Sequence, residues 1–272
     1  MPTIEIQPRF ELARRLARSA GELTLKYFQT DRFEVIRKSD GSPVTIADQE
    51  TETHLRDEIL RAFPQDAIVG EEFGTTAGSS GFCWALDPID GTKSFITGVP
   101  LYGTMVAVLD ERDREQRTAV IGAIHMPGLD EGIFAATGQG AWHYRRDSEP
   151  VRARVSTTRL LSESVFVTSS IEGFAKRGSS QSFLSLASQV RFARTWGDVY
   201  GYLLVATGRA DFMVDPEMSI WDAAAVQPII EEAGGRFTDW RNVPTFDGGD
   251  SVGSNRLLHA QILAILRADK SA

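Results

Sequence analysis

A single cysteine, Cys83, occurs in the 272 residues of this chain. One thiol makes neither a disulfide framework nor a thiolate metal site, and its place inside an apolar run points to core packing. A basic surplus is also missing: 29 Lys and Arg stand against 37 Asp and Glu, giving a net charge of -8 and a pI near 5.1. Nucleic-acid and anionic-membrane surfaces need clustered cations, so neither partner is expected. No apolar run approaches the roughly 20 residues of a membrane span, and no basic-then-apolar leader opens the sequence. The expectation is a soluble, cytoplasmic protein. The four histidines, His54, His125, His143 and His259, show no metal-ligand spacing and are expected at surface or hydrogen-bonded half-buried positions. Internal repeats and low-complexity tracts are absent too.

What is present is a 42% hydrophobic content, enough to bury the core of one large domain or two packed halves. Leu12, Ala13, Leu16, Ala17, Ala20, Leu23, Tyr27 and Phe28 recur at helical spacing opposite Arg14, Arg15 and Arg18, which predicts an amphipathic helix over 10–28. Turn formers fill Lys38-Ser-Asp-Gly-Ser-Pro43. Thr45 with Asp48 three residues on has the form of a capping box, opening a second helix that runs to about Phe63. Asp48 is that cap, or a first-turn carboxylate facing a cleft. Pro64 ends the helix, 67–70 is a short buried strand delivering Glu71 and Glu72, and 74–81 reads as a surface loop.

The stretch Phe82-Cys-Trp-Ala-Leu-Asp87-Pro-Ile-Asp90-Gly-Thr92 is the centre of the chain's chemistry. An apolar strand runs into two carboxylates, and Gly91-Thr92 opens a short helix whose free N–H groups favour anions. Two acids beside such a helix start suit a divalent metal plus a phosphate ester, although Asp-Pro and Asp-Gly alone are also ordinary turn dipeptides. Beyond it, 103–109 and 118–125 read as a hairpin with a charged tip, followed by strands at 132–136 and 141–144. Arg145, Arg146, Arg152 and Arg154, interleaved with acids and turns, read as a solvated face. From about residue 150 strands alternate with helices: strands at 165–168, 190–193, 210–214, 236–238 and 251–253, helices at 174–187, 200–206, 221–234 and 257–266. Two domains are therefore expected. Residues 1–148 form an α+β half with an antiparallel sheet and most candidate ligands, and 149–272 form an α/β half that supplies Asp222.

Glu71, Asp87, Asp90 and Asp222 each follow a strand or open a helix. Gathered together without a cation they would repel and raise one another's pKa, so their convergence favours a hard, oxygen-ligated metal such as Mg²⁺.

The segments Thr45-Ile-Ala-Asp48, Gly70-Glu71-Glu72, Trp84-Ala-Leu-Asp87-Pro-Ile-Asp90-Gly-Thr92, Trp221-Asp222-Ala-Ala-Ala and Glu232-Ala-Gly-Gly235, in that order, resemble the inositol monophosphatase family of lithium-sensitive sugar and nucleotide phosphatases. The match spans essentially the whole chain and is specific as a joint pattern. It implies an α/β (α+β layered) fold, a five-layer αβαβα sandwich, and a homodimer. It further implies two or three Mg²⁺ ions. Glu71, Asp87 and the Ile89 carbonyl would hold one, Asp87, Asp90 and Asp222 a second, and a third, weaker ion would lean on Glu71. Asp48 and Thr92 would orient water and take its proton, with Glu71 part of the catalytic set. Gly91 and Thr92 would hold phosphate oxygens, and Asp90 and Asp222 would also face the substrate.

Arg194-Thr-Trp-Gly-Asp198-Val-Tyr-Gly-Tyr202, Asp215-Pro216 and the Asp-Gly-Thr-Lys-Ser form of the central motif are similar to the histidinol-phosphate phosphatase branch. Histidinol phosphate carries an ammonium and an imidazole, so further carboxylates near the leaving group make chemical sense. Asp198 and Asp215 are the candidates, with a helix N-cap and a turn as their respective structural alternatives. Tyr200 and Tyr202 read as packing residues and Lys93 as a solvated side chain. A broad inositol-1-monophosphatase is the nearest alternative function. A non-catalytic binding protein that keeps the fold is the alternative of another class.

Overall fold

The computed structural model describes residues 3–30, 35–37, 43–113 and 115–268. The turn expected over 38–43 lies outside them except for Pro43, where a strand Pro43–Thr45 begins and pairs antiparallel with Val35–Arg37. The apolar runs pair into two larger sheets. The first has the spatial order Val151–Arg152, Gly140–Arg145, Glu131–Ala136, Thr118–Met126, Gly103–Asp110, Phe82–Asp90, Ala67–Gly70 and Gly74–Thr76. One neighbouring pair in it is parallel: Ala67–Gly70 runs alongside Phe82–Asp90 with Gly70 beside Leu86. Parallel strands end at the same edge, so Glu71 and Asp87 emerge together.

Phe82–Asp90 is apolar along nearly its whole length, without alternation, because both of its faces are covered. On one face lie the helices Thr3–Thr24 and Ile46–Ala62, meeting the sheet through Leu16, Leu55, Ile59, Trp84 and Val106. On the other lie Val199–Ala206, Ile220–Ala224 and Val226–Glu232, whose Leu203, Ile229 and Ile230 fill the space between the two sheets. The second sheet has the order Phe192–Arg194, Val165–Val167, Phe212–Asp215, Ser251–Ser254 and Arg236–Thr238. Its first three strands are parallel and the rest antiparallel. Ile171–Lys176, Ser180–Gln189 and His259–Ala268 close the outer face over Phe166, Phe212 and Val214. One core surrounds the middle helices on both sides and one lies under each outer helix layer, giving five layers in the αβαβα order expected. Along the chain the first sheet's last strand ends at Arg152 and the second sheet's first begins at Val165, and on that basis we propose a boundary between the halves within 153–164 rather than at 148/149. Among the described residues no helix is long and apolar enough to cross a membrane.

Several boundaries differ from the sequence expectation. The first helix spans Thr3–Thr24 rather than 10–28. Pro8 sits in its first two turns, while Ile6 and Phe10 bury their side chains. At the other end the Thr24 hydroxyl donates to the Gly21 carbonyl, and the chain turns so that Phe28 packs on Phe95 and Tyr102. The helix expected over 174–187 is two, broken at Gly178, whose φ of +73° is left-handed. That expected over 221–234 is also two, since Pro228 has no N–H to give the Ala224 carbonyl. Within 74–81, Gly74–Thr76 is an exposed edge strand, and the strand expected over 190–193 is Phe192–Arg194. Cys83 is buried in the core.

The middle helices approach the first sheet most closely at Gly122, where a Cβ would lie 2.0 Å from the Ala225 carbonyl oxygen. Gly122→Ala is expected to push this layer off the sheet and lower stability by about 1–3 kcal/mol, which urea unfolding would measure.

Candidate active site

Asp87 and Asp90 are three residues apart, a spacing that puts side chains on opposite faces of a regular strand. A bulge corrects this. Asp87 pairs with Met105 and Asp90 with Gly103, so three steps on one strand oppose two on the other. The irregularity re-aims Asp90 to the side of Asp87. Asp222 arrives from the middle layer as the third residue of Ile220–Ala224, where it closes a capping box by accepting the Ser219 N–H at 2.7 Å. Carboxylate oxygens of Asp87, Asp90 and Asp222 lie within 4.8 Å of one another. Two acids from one strand end and a third from a distant part of the chain therefore form one cluster.

Asp48 and Glu71 adjoin it. The capping box at Thr45 is present: Asp48 Oδ2 accepts the Thr45 N–H at 2.8 Å and its hydroxyl at 2.6 Å. Yet Asp48 Oδ1 is buried with no hydrogen-bond partner among the described residues. The cap and the cleft are thus two oxygens of one residue. Glu71 follows the Ala67–Gly70 strand, its N–H held by the Leu86 carbonyl at 3.2 Å. Gly91, at φ +87°, caps the short helix Thr92–Ile96, and the Thr92 hydroxyl donates to the Ile89 carbonyl at 3.1 Å.

The electrostatics follow from burial and like charge. Burial, then Glu71, Asp90 and Asp222, hold the Asp87 carboxyl well above its usual range. Burial, then Asp198 and Asp222, do the same to Asp90. Asp222 is pushed up to about 7, mainly by burial and in spite of its bond from Ser219. Asp48 rises to about 6 through burial, with Glu71 adding to the effect. Acids that keep their protons near neutrality are a set whose repulsion a divalent cation would relieve, and the unpartnered Asp48 oxygen fits the same need.

Asp198 and Asp215 come from the second half. Asp198 precedes Val199–Ala206 but makes no side-chain cap bond. Instead the Val199 N–H donates to Asp90 Oδ2, and Asp198 Oδ2 lies 2.8 Å from where a Cβ on Gly91 would be. Asp215 ends its strand rather than making an isolated turn. It accepts the Ser169 N–H at 2.9 Å, the Ser169 hydroxyl at 3.1 Å and the Tyr202 hydroxyl at 2.9 Å. A cavity of about 290 Å³ is lined by Lys93, Ser169, Asp198, Asp215, Met218 and Asp222. A larger groove of about 600 Å³ along Glu11, Arg14 and Arg18 shares no residue with the acids, and Arg14 and Arg18 are already paired with carboxylates.

All of the acids expected from the sequence meet in or beside this region. Tyr202 is more than packing, since its hydroxyl orients Asp215, and Lys93, though exposed, lines the cavity. Ser169 was not foreseen. It lies in a Ser-Ser pair after a strand, with no local pattern to mark it. The histidines are apart from the site: His125 meets Tyr144, His143 meets Glu131, and His259 meets Thr238 and Ser254.

The chain as a whole is similar to known proteins. The sequence pattern of the inositol monophosphatase family matches residues 5–271. The chain is similar to the histidinol-phosphatase of Chlorobaculum parvum, 40% identical over 95% of this chain and 96% of that one. It is 37% identical to the histidinol-phosphatase of Mycobacterium tuberculosis, over 94% of this chain and 97% of that one. Its fold is similar to the solved IMPase of Thermotoga maritima, with a TM-score of 0.83, 28% identity, and coverage of 97% and 98% of the two chains.

The raised Asp222 pKa predicts a pH dependence. Starting from a usual value of 3.8 and reaching about 7 in the fold, this carboxyl favours the folded state while protonated. That contribution is complete below the lower value and lost as pH rises through the upper one. Metal-free Asp222→Asn is therefore expected to be more stable than wild type at about pH 8, by roughly 1–3 kcal/mol. Thermal unfolding of both proteins should show the gap closing as the pH falls.

Proposed function

The chain belongs to the inositol monophosphatase family and is a phosphomonoester hydrolase, and from that premise we propose that it is a Mg²⁺-dependent histidinol-phosphate phosphatase. The observation that carries the metal reading is the convergence of Asp87, Asp90 and Asp222 within 4.8 Å. These three, with Glu71 and the Ile89 carbonyl, would hold two or three Mg²⁺ ions. Bound there, Mg²⁺ supplies charge that offsets the developing negative charge of the ester and its leaving alkoxide, and it acidifies water.

The chain's own groups do the rest. Asp48 would accept a proton from the attacking water, with the Thr92 hydroxyl orienting it; a carboxyl pushed up to about 6 with one oxygen unpartnered supports that role. The N–H groups of Gly91 and Thr92 hold phosphate oxygens at the start of the short helix. Attack is in line and no covalent phosphoenzyme forms.

Substrate choice falls to the second half of the chain. Asp198 and Asp215 line the cavity beside the acids, and their charge suits the ammonium and imidazole of histidinol phosphate better than a neutral polyol. The names of the two relatives at 40% and 37% identity support the same choice. This would set the protein in histidine biosynthesis.

Purified protein assayed with Mg²⁺ is expected to favour histidinol phosphate over inositol 1-phosphate by about tenfold or more in kcat/KM. A preference for the inositol ester would overturn the substrate assignment. EDTA should abolish phosphate release. Asp90→Asn and Asp222→Asn should each lower kcat by roughly 10²-fold or more with the circular dichroism unchanged, and near-normal turnover in either would overturn the site.

A further inference from the structure

Glu52 lies in Ile46–Ala62 one helical turn after Asp48 and is fully buried. Its carboxylate reaches across to the chain after the Ala67–Gly70 strand. Oε2 accepts the Glu72 N–H at 2.7 Å and Oε1 the Phe73 N–H at 3.2 Å. With the Glu71 N–H on the Leu86 carbonyl at 3.2 Å, three successive backbone N–H groups around Glu71 are held. Arg56, a further turn along, completes the arrangement. Its Nε donates to Glu52 Oε1 at 2.8 Å, and its other nitrogens reach Thr76 Oγ1 at 2.9 Å and the Gly74 carbonyl at 2.5 Å.

Gly70 shows how tightly this fits. Its φ is not in the left-handed region, so its backbone asks for no glycine. Its surroundings do: a Cβ would lie 2.2 Å from Glu52 Oε1 and 2.5 Å from Cδ. The glycine before Glu71 makes room for the carboxylate.

We propose that Glu52 is a positioning residue for the metal site, a buried carboxylate that clamps the 71–73 turn through its N–H groups and fixes where the Glu71 side chain points. The same helix then serves the site twice, through Asp48 directly and through Glu52 by way of Glu71. Partners of metal ligands that lie outside the ligand set commonly change metal affinity 10–100-fold. The assignment rests on Glu71 being a metal ligand, as proposed above.

Calorimetric titration of Mg²⁺ into metal-free wild type, Glu52→Gln and Gly70→Ala tests it, with circular dichroism as the check on folding. Glu52→Gln puts an amide donor against the turn's N–H groups. Gly70→Ala keeps both charges of the Glu52–Arg56 pair and displaces the carboxylate sterically. Both are expected to bind Mg²⁺ at least about tenfold more weakly, while the order of preference among phosphate esters is unchanged. A purely structural role would lower the unfolding temperature and leave the affinity of the folded protein alone. Should Glu52→Gln fail to fold, Gly70→Ala decides. Wild-type affinity in the folded variants would overturn the clamp alone, whereas a wild-type protein that takes up no Mg²⁺ would overturn the metal site and the clamp together.

Discussion

Like charge confined at short range is the constraint on which this structure turns. Among the described residues no ion pair joins Asp87, Asp90 or Asp222 to an arginine, unlike Asp66, which Arg9 holds at 2.7 Å. Burial pushes all three carboxyls upward, and repulsion from neighbouring acids, Glu71 and Asp198 among them, adds to it. A group of acids held in this way is destabilising unless protonated or neutralised, which is the electrostatic argument behind the proposed metal site.

The fold meets that constraint with local devices. A parallel strand pair brings Glu71 beside Asp87, a bulge turns Asp90 to the same side, and capping boxes at Thr45 and Ser219 lock the first turns that carry Asp48 and Asp222. Close layer packing at Gly122 sets the height of the Asp222 helix above the sheet. Val199 ties the second half to Asp90. The segment carrying Asp198 and the strand end carrying Asp90 are therefore joined by a direct bond.

How much of this was legible in the sequence depended on its range. The Thr45–Asp48 box and the strands before Glu71 and Asp87 are local patterns and were readable as such. So was the change to alternating strands and helices near residue 150. The meeting of Asp222 with acids more than a hundred residues earlier has no local signature, and only the family resemblance pointed to it. The bulge was hidden because Asp87 and Asp90 look like turn residues in any register. Gly178 and Pro228 were visible, but helical periodicity ran through both and masked the breaks. Tyr202 sits among apolar residues on a buried helix, so its hydroxyl bond to Asp215 could be seen only with the second sheet in place. Glu52 has no local signature either, since the N–H groups it accepts, those of Glu72 and Phe73, lie on a different element.

The central claim is that the cluster of acids is a divalent-metal site. The most direct test is an anomalous difference map from crystals grown with saturating Mn²⁺ in place of Mg²⁺. The account predicts peaks bounded by the carboxylates of Asp87, Asp90 and Asp222. A map with no peak among these three residues would contradict it.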